Sequence, residues 1–117
     1  MRKAALDRML LMITSAPGSA EALRALAMAC TLDGQARDVA LALLQDAVLA
    51  AVKRNRTPAA QVVSRLAAQS VGVYVAQQDL ALRGMSPGDL TPGATVVDDR
   101  RLVDLMLADG TKTLGCF

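Results

Sequence analysis

The sequence contains no histidine and no tryptophan, and its aromatic share is 2%, made up of Tyr74 and Phe117. Without histidine, the commonest general base near neutral pH and the commonest nitrogen ligand for metals are missing. Two aromatic rings cannot build a base-stacking platform, so single-stranded nucleic acid is not an expected partner. Cysteine is scarce: Cys30 and Cys116 form no CxxC and no ligand cluster, and in a reducing compartment they read as free thiols. An excess of one charge is also absent. Thirteen basic residues face 11 acidic ones, a net charge of +2 that attracts neither nucleic acid nor a membrane surface in general. The apolar run Met9–Ile13 is too short for a secretory or membrane-spanning segment and follows Asp7-Arg8, so a cytoplasmic protein is expected. No cofactor or metal motif occurs, and none of either is expected.

What the chain does have is apolar side chain. The hydrophobic share is 53% of 117 residues, above the usual range once glycine is counted. One small domain over 1–117 cannot hide all of it, which favours oligomers, although much of the excess is alanine. Residues 1–7 carry no packing signal of their own and are read as an extension open to disorder.

The organising stretch is Val39–Val52. Its first half is an unbroken apolar run of strand length, as expected of a strand buried on both faces in the middle of a parallel sheet. Gln45-Asp46 then switches the pattern to a helix of about 46–53, with Asp46 as its cap. Residues 9–14 make a second such strand. Ser19 can cap a helix over 20–31, where Leu23, Leu26, Ala27 and Cys30 share one face and Asp33-Gly34 stop it. Thr57-Pro58 opens a helix over 58–69, Val71–Val75 is a short strand, and Gln77–Arg83 is one or two helical turns stopped by Gly84. A strand at 94–98, a helix at 100–109 capped by Asp99, and a strand at 111–116 complete the order. Strands alternating with helices imply a three-layer α/β/α fold around a mostly parallel five-stranded sheet, of flavodoxin-like topology, with the strand order open.

Ligands of such sheets gather where strands end and helices begin. The candidate edge residues are therefore Ser15 and Ser19, Gln45 and Asp46, and Gln77 and Gln78. The Ser15–Ser19 turn could hold an anion on its backbone N–H groups, which would make the chain a stand-alone small-ligand domain. It lacks both the Walker A and the GxGxxG pattern. Cys30 on an apolar helix face behaves as a small hydrophobe, with no basic neighbour in prospect except Arg37. Cys116, near the last strand's end, has better prospects of exposure. Lys53, Arg54 and Arg56, with Arg100 and Arg101, are small basic clusters of solvated character. No nucleophile–base pair can be assembled, so an enzyme of the usual kinds is not expected.

Three segments together resemble a known family. Leu43–Val52, Val73–Met85 and Val96–Leu107 are similar in order and spacing to the DsrE/DsrF/DsrH family, most closely its DsrH/TusB branch. The resemblance implies a small α/β/α subunit of an oligomer, commonly a hetero-hexamer of DsrE-, DsrF- and DsrH-type (TusD/TusC/TusB-type) chains, or of copies of itself. Such assemblies work in sulfur relays, for tRNA thiolation or sulfur oxidation, and hand sulfur to carrier proteins. The DsrE/TusD-type subunit holds a persulfide on a cysteine just after its third strand. Ala76 stands there in this chain, so the resemblance implies a structural or docking subunit, with at most an accessory sulfurtransferase or sulfur-carrier role. It also implies that Cys30, in the helix ahead of the second strand, could accept sulfur; Cys116 competes on exposure. The longer start, the longer helix at 58–69 and the ending Leu114–Phe117 depart from the branch.

Overall fold

The computed structural model describes residues 7–117; residues 1–6, and so most of the expected extension, lie outside the described residues. Asp7 is exposed and precedes the first strand. The strands are β1 (Arg8–Ile13), β2 (Asp38–Leu43), β3 (Gly72–Ala76), β4 (Ala94–Val97) and β5 (Thr111–Leu114). The α-helices are α1 (Ala20–Gly34), α2 (Pro58–Ala68), α3 (Gln77–Leu82) and α4 (Asp99–Leu107). A 3₁₀ helix spans Gln45–Ala51, and a shorter one spans Pro87–Asp89.

All five strands are parallel, in the order β4-β3-β2-β1-β5. The central place of β2 follows from its composition: five of its six residues are buried because both faces of the strand are covered. Winding runs outward from β1 to β4, then α4 carries the chain back across the sheet to place β5 on the far side of β1. Alternate residues divide the core in two. Leu11, Ile13, Leu41 and Leu43 face a large cluster with α1, α2 and the 3₁₀ helix. Leu10, Ala40 and Ala42 face a small one whose helical members, Leu102 and Leu105, come from α4.

Helix ends follow local chemistry. Ser19 accepts from Ala22 N–H at 3.1 Å, Thr57 accepts from Ala60 N–H at 3.2 Å, and Pro58 takes the first turn of α2. Four expectations are corrected. The cap of α4 is Asp98, which accepts from Arg101 N–H at 2.8 Å, while Asp99 is already helical. Gly34 is the last residue of α1 rather than its stop, and Ala36 makes the left-handed turn with φ 59°. The helix after β2 is 3₁₀ and uncapped by any side chain, because Asp46 is bound elsewhere. The buried stripe of α1 is Ala22, Ala25, Leu26 and Ala29, whereas Leu23 stands 43% exposed. α1 is apolar nearly all round, so periodicity could not set its phase; the smaller side chains win because they let the helix approach the sheet.

Candidate functional site

The carboxyl ends of β1, β2, β3 and β5 bring most of the expected edge residues together, and hydrogen bonds show how each is employed. At the end of β1, the N–H groups of Thr14 and Ser15 both donate to the Phe117 main-chain oxygen at 3.1 Å. The Ser15 hydroxyl donates to the same oxygen at 2.9 Å, and Phe117 N–H returns a bond to Met12 O at 2.9 Å. The turn expected to hold an anion thus holds an oxygen of its own chain. Ser19 is occupied as the cap of α1. These donors are satisfied internally, and they pin the segment after β5 against the start of α1.

At the end of β2, Gln45 adopts φ 52°, an uncommon conformation for a residue with a side chain. The twist aims its N–H at Asp79 Oδ2, 2.8 Å away on α3. Asp46 Oδ1 accepts from Arg83 Nη2 at 2.8 Å and from Nε at 3.1 Å. Arg83 Nη1 also donates to Asp79 O at 2.9 Å. Asp46, Arg83 and Asp79 therefore lock the ends of β2 and β3 together. The i, i+4 spacing of Asp79 and Arg83 hinted at half of this network; the partnership with Asp46 had no local signal. Gln77 and Gln78 are exposed at the start of α3, and Ala76 beneath them is buried at 6% exposure.

The two thiols lie far apart. Cys116 is exposed beside Phe117 in an open cleft of about 370 Å³, bounded by Ala20, Glu21 and Arg24 at the start of α1. It sits two residues past the end of β5 rather than in the strand. Cys30 is half-buried against the large core, ten residues or ~15 Å of helix from Ala20. Its cationic neighbour is Arg65 of α2, with Nη2 at 3.8 Å from Sγ, not Arg37. Packing of α1 on α2 creates that contact, which no spacing rule could show.

The basic clusters do not merge. Arg54 reaches Asp89 at 3.9 Å, and Lys53 and Arg56 line a polar cleft of about 320 Å³ with Ser64 and Thr91. Arg100 and Arg101 belong to α4, on the opposite side of the sheet. The Asp89 carboxyl is held below the usual carboxylate range, first by the Ser86 backbone N–H at 2.8 Å; desolvation opposes this, and the Ser86 hydroxyl, Arg54 and Lys53 each lower it by less. Among the described residues, no three His, Cys, Asp or Glu side chains gather to hold a metal ion. No helix among them is long and apolar enough to cross a membrane.

Comparison with known proteins agrees with this geometry. Residues 18–111 match the family described as DsrH like protein. The crystal structure of the ychN protein from E. coli superposes with a TM-score of 0.84 at 25% identity, covering 95% of this chain and 99% of that one. The protein of unknown function MTH1491 from Methanobacterium thermoautotrophicum shares the fold, with a TM-score of 0.70 at 17% identity over 92% of this chain and 99% of that one. No curated protein sequence matches the chain.

Proposed function

Because the chain belongs to the DsrH-like protein family, we propose that it serves as a DsrH/TusB-like subunit of an intracellular sulfur-relay complex, docking partners rather than carrying sulfur at the end of β3. The observation that carries this reading is Ala76: the residue closing β3 is a buried methyl group, followed by exposed Gln77 and Gln78. A persulfide needs a thiolate that a partner's sulfur can reach. The edge built from Gln45, Asp46, Asp79 and Arg83 is instead a rigid polar surface suited to contact with another subunit.

The accessory role falls to one of the two thiols. In that step a cysteine thiolate attacks the outer sulfur of a donor persulfide, the new S–S bond forms, and the donor leaves as a thiolate; no external oxidant or reductant enters. Cys116 offers exposure, and Cys30 offers a guanidinium beside its sulfur. The partners are related small DsrE- and DsrF-type (TusD/TusC-type) subunits or copies of the chain, with a sulfur-carrier protein beyond them and no direct contact with tRNA.

Affinity purification of the tagged chain from its native host tests the reading. Related small subunits should co-purify in defined ratio, one of them bearing a cysteine after its third strand. Recovery of the chain as a lone monomer, with neither such a subunit nor a further copy of itself, overturns it. Intact-mass measurement after treatment with a persulfide donor, on the wild type, Cys30→Ser and Cys116→Ser, then assigns any accessory sulfur. Rapid, quantitative loading and onward transfer by the isolated chain would make it a carrier and sink the docking role.

A further inference from the structure

The polar cleft of about 320 Å³ between α2 and the segment leading into β4 is built from residues that the sheet edge does not use. Its frame is fixed by the backbone. Lys53 N–H donates to Asp89 O at 2.9 Å, Thr91 N–H donates to Ala51 O at 2.8 Å, and Val52 pairs with Leu90 in an antiparallel bridge. Asn55 ties the loop to α2: its Nδ2 donates to Leu49 O at 2.8 Å, and its Oδ1 accepts from Thr57 N–H at 2.9 Å. Thr91, at 6% exposure, is the one buried polar residue among those described. Its hydroxyl donates to Ser64 Oγ at 3.2 Å. Two hydroxyls that share one hydrogen bond hold two protons between them, so one proton is left over. Among the described residues no acceptor takes it.

The charge of the cleft is of one sign. Lys53 and Arg56 line it, no acidic residue does, and neither cation forms an ion pair among the described residues. The neighbouring charges are committed to each other: Arg54 reaches Asp89 at 3.9 Å, and the Asp89 carboxylate also accepts from the Ser86 N–H and hydroxyl. Two unpaired cations and a spare hydroxyl proton on a fixed concave frame are a donor set without an acceptor. We propose that this cleft binds a phosphate group, free or as a small phosphomonoester, through Lys53, Arg56 and the Ser64–Thr91 hydroxyl pair. Phosphate suits donors that converge from several directions, because its oxygens accept all around a tetrahedron, whereas a carboxylate accepts in one plane. At about 320 Å³ the cleft stands at the small end of ligand sites, too small for a dinucleotide. It shares no residue with the edge of Gln45, Asp46, Asp79 and Arg83, so it stands or falls apart from the proposed docking role.

Backbone-amide NMR titration of the full chain with inorganic phosphate, at an ionic strength held constant with chloride, tests the proposal. Thermal melting would not, because phosphate stabilises many proteins without occupying a site. Peak shifts should saturate and gather at 52–56, 60–64 and 91. Lys53→Gln and Arg56→Gln should each weaken binding about tenfold, the worth of one hydrogen bond to a charged group. Ser64→Ala, at an exposed position of α2, should weaken it by a similar factor while the rest of the spectrum shows the fold intact. Arg100→Gln, on α4 across the sheet, lowers the net charge equally and should leave binding unchanged. Glycerol 3-phosphate separates the sources: tighter binding than phosphate marks an esterified ligand, weaker binding marks the free ion, and both support the site. Shifts that grow linearly to the highest concentration, or that chloride alone reproduces, overturn the proposal. So does an affinity indifferent to Arg56→Gln or to Ser64→Ala.

Discussion

Ala36 and Ser70 each follow a helix in the left-handed region, with φ of 59° and 70°. A side chain there costs about 1 kcal/mol relative to glycine, whose missing Cβ removes the clash. Ala36→Gly should therefore raise unfolding stability by roughly 0.5–1 kcal/mol in urea titration, because relief of the clash outweighs the added freedom of the unfolded chain. Gly93 poses the reverse case. At φ 94°, a Cβ would lie 3.1 Å from both the Cβ and the carbonyl oxygen of Ala67. Gly93→Ala should cost about 1–3 kcal/mol by the same measurement, and a neutral result would mean that the start of β4 does not press on α2 as described. Asp89 belongs to this scale too. Its carboxylate is favoured in the folded chain, so it contributes stability above the ordinary carboxylate range, and that contribution is lost as pH falls through its lowered folded value. An NMR titration should place its midpoint below that of a free aspartate, and Asp89→Asn should abolish this part of the pH dependence.

Among the elements, α1 and the β2–β3 edge show how packing overrides pattern. The buried stripe of α1 is made largely of alanine, which brings the helix axis near β1 and β2. Ala25→Leu should thus cost 1–3 kcal/mol, since an added isobutyl group must push the helix outward. Leu23→Ala, at the exposed member of the expected face, should change stability by less than ~1 kcal/mol. If the two effects came out reversed, the phase of α1 would be wrong. At the sheet edge, a double-mutant cycle on Asp46→Ala and Arg83→Ala should give a coupling of about 0.5–1 kcal/mol. It stays small because the Asp46 side chain is 60% exposed, and solvent screens the pair.

For the whole molecule, the decisive feature is the asymmetry between the two faces of the sheet. One is roofed by α1, α2 and the 3₁₀ helix, the other by α4 alone among the described helices. Large apolar side chains meet solvent on both sides of the sheet: Leu23 on α1, Leu82 on α3, and Val103 and Leu107 on α4. Placement of the thiols is equally global. Cys116 stands by the edge where strands give way to helices, while Cys30 lies well along α1 beneath Arg65.

Element order, strand identity and the edge on which Gln45, Asp46, Gln77 and Gln78 gather were all legible from residue order alone. They depend on local chemistry: unbroken apolar runs for buried strands, Ser19 and Thr57-Pro58 at helix starts, Gly84 at a helix end. The strand order, the phase of α1, the escape of Asp46 from its capping role and the meeting of Cys30 with Arg65 belonged to the tertiary structure. Each joins residues distant in the chain, 37 apart for Asp46 and Arg83 and 35 for Cys30 and Arg65. Such pairings are selected by how helices pack on a finished sheet, and short-range sequence carries no imprint of that choice.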